Sequence, residues 1–96
     1  MSMTKDSSIN VLLSKLSLPD RGWQIVDHWE ADLFAVDIGS ERTEGKLVYI
    51  STYDKKPGKY DFECEISKGA DYETVKSGKD VDFTVIESVL ADWLHD

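Results

Sequence analysis

Residues 46–53 read KLVYISTY and residues 60–67 read YDFECEIS, joined by the polar segment DKKPGK. The second run alternates strictly, with Tyr60, Phe62, Cys64 and Ile66 to one side and Asp61, Glu63 and Glu65 to the other. Period-two alternation of this length marks a strand with one face on a core and the other in water. The first run is rich in β-branched and aromatic residues, as strands are. Between them, Lys56-Pro57-Gly58-Lys59 places Pro and Gly where a type II turn requires them. The two runs therefore form a hairpin, and its register decides what each sheet face carries.

A two-residue loop of Pro57 and Gly58 would set Ile50 opposite Glu65 and lay Val48 and Ile50 beside the carboxylates, which desolvates charge. An odd loop, Lys55 to Lys59, instead pairs Ile50 with Cys64, Val48 with Ile66 and Thr52 with Phe62. It keeps the aliphatic residues of both strands together, and a one-residue slip would flip them all. The odd loop is the expected register. Tyr49, Ser51 and Tyr53 then share a face with Asp61, Glu63 and Glu65.

Upstream, residues 1–6 read as a disordered end. Ser7 or Ser8 can cap a helix whose apolar stripe is Ile9, Leu12, Leu13 and Leu16. Pro19 stops it, and Asp20-Arg21-Gly22 turns the chain. Trp23 to Trp29 and Leu33 to Ile38 read as a first hairpin around Glu30-Ala31, and residues 39–45 (GSERTEG) as the longest polar loop. Downstream, Asp71 to Lys76 reads as a short fifth strand, broken by Ser77-Gly78-Lys79-Asp80. Asp82 or Thr84 can cap a last helix, Thr84 with Glu87 in capping-box spacing, whose stripe is Phe83, Ile86, Val89 or Leu90, and Trp93 or Leu94.

Short links between strands favour a meander of neighbours. Two amphipathic helices need one sheet face to cover. The expected fold is a single two-layer α+β domain over residues 1–96, with four or five antiparallel strands and both terminal helices on one face. The opposite face is left to solvent or to a partner.

The bulk properties exclude several function classes. The 96 residues carry 19 acidic and 11 basic side chains, a net charge of −8 that repels nucleic acid and anionic membranes. No apolar run approaches the roughly 20 residues of a membrane span, and Val11-Leu12-Leu13 is too short for a signal-peptide core. One cysteine gives no internal disulfide, in keeping with a cytoplasmic location. Cys64 lies on the apolar side of its strand and reads as a small buried hydrophobe.

Catalytic and metal-binding patterns are weighed and set aside. His28 stands among Asp27, Glu30 and Asp32, but the other histidine, His95, is next to the C-terminus, and no paired His or Cys spacing for zinc occurs. Asp61, Glu63 and Glu65 step about 6.8 Å apart along a straight strand, which does not converge ligands on calcium. The glycines are scattered singly without a phosphate-loop pattern, and Ser51 has no glycine-flanked elbow. No enzyme activity, metal or cofactor is expected.

Trp23, Trp29 and Trp93 read as core or core-edge residues, with Trp29, beside a turn among acids, the strongest functional aromatic. Tyrosines and carboxylates on one sheet face suit a basic protein partner, which the acids steer and the rings contact. Asp27-His28-Trp29-Glu30, then Ser51-Thr52-Tyr53-Asp54 leading to Pro57-Gly58, and the closing Ala91-Asp92-Trp93-Leu94 resemble features of small bacterial immunity proteins of polymorphic-toxin systems. The resemblance implies a compact acidic α+β domain that binds and masks a basic toxin. The expected function is non-enzymatic protein binding through Tyr49, Ser51, Tyr53, Asp61, Glu63, Glu65 and Trp29. The rivals are a small-molecule binder with a pocket lined by Trp23, Trp29 and Trp93, and a homodimer formed through the open face or an edge strand.

Overall fold

The computed structural model describes residues 7–26, 34–40 and 45–95. Its elements run α1 (Ser7–Leu16), α2 (Leu18–Arg21), β1 (Trp23–Ile25), β2 (Ala35–Ser40), β3 (Lys46–Ser51), β4 (Tyr60–Lys68), β5 (Asp71–Val81) and α3 (Phe83–Trp93). The five strands form one antiparallel sheet in sequence order, β1-β2-β3-β4-β5, so the meander is observed. The α+β architecture expected from the pattern of periods is the architecture of the protein.

Both long helices bury their stripes in a single core. Ile9, Leu12 and Leu16 of α1 and Ile86, Val89 and Leu90 of α3 cluster with Val36, Ile38, Val48, Ile50, Phe62 and Cys64 of the sheet. Lys15 extends over the Phe83 ring at 5.4 Å, and Arg21 pairs with Glu87, so α1 and α2 are each tied to α3. Asp82 is the cap of α3: its carboxylate accepts from the Val85 N–H and from the Thr84 hydroxyl. The expected Thr84–Glu87 capping box is not used, because Glu87 turns to Arg21. Pro19 does not merely stop α1. Ser17 adopts a left-handed conformation and ends it, and Pro19 then sits in the first turn of α2, where a missing N–H costs nothing.

The central hairpin has the expected parity but not the expected register. Ile50 pairs with Phe62, Val48 with Cys64 and Lys46 with Ile66, two residues away from the pairing argued above. A two-residue slip leaves every side chain on its face. The connection is longer than expected: β3 ends at Ser51, β4 begins at Tyr60, and Thr52, buried, donates its N–H to the Phe34 carbonyl on the β2 side. Within that connection the Pro57-Gly58 turn forms, with Lys59 N–H bonded to the Lys56 carbonyl and Gly58 at φ +83°.

Two further expectations are corrected. Gly39 and Ser40 belong to β2 and not to a loop, because β1 continues the ladder there, with Trp23 opposite Ser40 and Gln24 opposite Gly39. Residues 41–44, the rest of that loop, and 27–33, the turn of the first hairpin, lie outside the described residues, as do residues 1–6. Ser77-Gly78-Lys79-Asp80 does not break the chain: β5 runs through it to Val81, with register shifts opposite Tyr60/Phe62 and Cys64/Glu65 that absorb the irregularity. Gly78 is a packing glycine. A Cβ there would fall within 2.9 Å of Phe62 Cζ, so only glycine lets β5 pass under that ring.

Candidate functional site

The register aligns residues of the face opposite the helices in rows across the sheet. One row runs Asp37, Tyr49, Glu63, Ser77; the next holds Ala35, Ser51 and Asp61; a third holds Gly39, Leu47, Glu65 and Thr74. Directly opposed side chains in such rows lie about 5 Å apart and interact. Tyr49, Ser51, Asp61 and Glu63 thus come together because alternation puts them on one face and register puts them side by side. They line an open cleft of about 280 Å³. Ser77, Lys79 and the Phe62–Gly78 contact complete its walls.

Glu65 shares the face but not the cleft, standing opposite Leu47 on one side and Thr74 on the other. Burial, and then the charge of Glu63, push its carboxyl above the ordinary range. Among the described residues neither Glu63 nor Glu65 has a cationic partner. Asp61 does: Lys55 reaches it at 3.0 Å and Asp80 at 3.1 Å, and the Asp80 N–H also donates to the Asp61 carboxylate. Hydrogen bonds to Asp61 and then Asp80 raise the Lys55 ammonium above its ordinary value. The lysine is only 14% exposed, so it ties the β3–β4 connection to the β4–β5 edge.

Tyr53 is not on the cleft. It lies in the connection, 68% exposed, with its ring edge-on to Phe34 at 5.7 Å. Trp29 lies outside the described residues, as does His28. Three contributors were missed by sequence reasoning: Ser77, Lys79 and Lys55. The signal for the first two was the long run of polar residues flanking Gly78, which reads as a chain break unless Phe62 is known to need the space.

The face is not open throughout. All six residues of β2 are buried, including Asp37 at 5%, so the face is closed over β2. Trp23 and Trp93 sit at the core margin, as expected. The Arg21 guanidinium covers the Trp23 ring at 5.1 Å, and Lys46 lies 4.8 Å from the Trp93 ring, whose Nε1 donates to the Glu65 carbonyl. Cys64 is fully buried, and burial pushes its thiol up, the reverse of what a nucleophilic thiolate needs. Among the described residues no group of three or more His, Cys, Asp or Glu could hold a metal ion. None of the described helices is long and apolar enough to cross a membrane. Comparison of the chain with protein families, curated proteins and solved structures gives no match in any of the three.

Proposed function

We propose that this chain is a non-enzymatic protein-binding module of the immunity type, acting in the bacterial cytoplasm on a basic protein. The observation that carries the reading is the convergence of Tyr49, Ser51, Asp61 and Glu63 on one open cleft. An aromatic ring contributes contact area at low entropic cost, two hydroxyls and the carboxylates accept hydrogen bonds from a cationic side chain, and the net charge of −8 speeds its approach. Asp61 already holds the chain's own Lys55, which leaves Glu63 as the group with charge to offer.

The structure therefore dictates which variant tests the reading. Reversing Asp61 would set a cation against Lys55 and disturb the fold. Tyr49→Ser with Glu63→Lys removes the ring and reverses the charge without touching the core. Capture of a basic protein from the source lysate by wild type, and its loss with the double variant, is the expected outcome. Equal capture by both baits would place the contact elsewhere, and no capture by either would overturn the reading.

A further inference from the structure

The chain already shows how it holds a lysine. The Lys55 ammonium lies 3.0 Å from the Asp61 carboxylate and 3.1 Å from that of Asp80, and the lysine side chain is only 14% exposed. An ammonium is a compact point charge with three donors, so two carboxylates converging on it suit it well. Among the described residues the open cleft does not repeat that arrangement. Of the two carboxylates that line it, Asp61 is taken by Lys55, and Glu63 is left as a single acid without a cationic partner.

What the cleft offers instead is a row. Tyr49 stands directly opposite Glu63 on one side and Ser77 directly opposite it on the other. A ring and a hydroxyl thus flank the carboxylate, each about 5 Å away. A π face and acceptors set in a line fit a planar group that spreads its donors, not one that gathers them at a point. The guanidinium is such a group. Its fork meets a carboxylate with two parallel N–H groups, its face lies on an aromatic ring, and its remaining N–H groups reach further acceptors. It is also more weakly hydrated than an ammonium, so less is lost when it leaves water.

We infer that the cleft selects arginine: a guanidinium of the basic partner pairs with Glu63 and stacks on Tyr49, in preference to a lysine ammonium. The inference rests on the reading of the cleft as the contact for a basic protein. Lys79 limits the cleft to one such side chain. It falls opposite Asp61, between the Phe62–Gly78 and Tyr60–Val81 pairs, and lines the cleft there. Its charge has no ion-pair partner among the described residues and opposes a second cation.

The test is a titration of isotope-labelled protein, followed by NMR at fixed ionic strength, with a blocked glycine-arginine-glycine peptide and with its lysine counterpart. The same spectra confirm that each variant is folded. The arginine peptide should shift the Tyr49, Glu63 and Ser77 amides and bind about fivefold more tightly than the lysine peptide. Tyr49→Leu should bring the two peptides level, Glu63→Gln should abolish binding of both, and Lys79→Ser should tighten both. Equal binding of the two peptides, shifts confined to other residues, or no shift with either peptide overturns the inference, as does a preference that survives Tyr49→Leu. Lysate capture answers the other question separately. Capture that depends on Tyr49 and Glu63, with no preference for arginine in the titration, keeps the protein-binding reading and sinks this one. A preference for arginine without capture keeps the arginine site and removes the protein partner.

Discussion

All six residues of β2 are buried, and none of the eleven residues of β5 is. The residue types do not explain the contrast. Asp37 in β2 is 5% exposed, while Val75 in β5 is 57% exposed. Alternation along a strand decides which face a side chain joins, but the strand's place in the sheet decides whether that face is covered. β2 has a strand on each side, and α1 and α3 cover the face that carries Val36 and Ile38, while Asp37 is buried on the opposite face; among the described residues β5 has one neighbour. A charge can thus be sequestered and a valine left in water within one sheet.

The largest expected effect breaks the contrast from the buried side. Ile38→Ala empties a fully buried site in β2 and should cost about 2–5 kcal/mol in urea unfolding. Val75→Ala in β5 should stay within about 0.5 kcal/mol. Similar costs at both positions would mean that β5 is covered in solution.

Gly78→Ala probes a place where β5 meets the core. The added methyl collides with the Phe62 ring, itself buried, and overpacking of this kind costs about 1–3 kcal/mol. Phe62→Leu relieves the collision, so the two substitutions together should cost less than their sum. Full additivity would show that the ring yields freely.

The smallest effect concerns charge between the two regions. The Glu65 carboxyl is raised by burial and by Glu63, so its protonated form is favoured more in the folded chain than in the unfolded one. Its favourable contribution is present below the ordinary carboxylate range and is lost as pH rises through the raised folded value. At neutral pH the ionised group therefore costs stability. Glu65→Gln should raise Tm at pH 7, and the gain should vanish on acidification. A gain unchanged in acid would assign the effect to packing.

Much of this fold was legible because its rules are local. Alternation at Tyr60 to Ile66 fixed a strand and its faces, helical spacing fixed two stripes, and the aliphatic parity of Val48 and Ile50 fixed which residues share a side. Four of the seven residues expected at the site line one cleft for that reason. What was not legible depended on distant contacts. The hairpin register lies two residues from the one argued, and Tyr53 falls in the connection, its ring against Phe34, nineteen positions away. The polar run at Ser77 to Asp80 reads as a break because the partner that needs its glycine, Phe62, is named nowhere nearby. Burial of Asp37 carries no sequence signal at all.

Cys64 gives the core a clock. Its sulfur is fully buried in the cluster formed by the sheet and the two long helices, and it is the chain's sole thiol. Fraying at the β5 edge or in the β3–β4 connection leaves it enclosed; only separation of the helices from the sheet admits a reagent. The rate at which a thiol dye labels native protein is thus a count of whole-core openings, free of the faster motions at the margins.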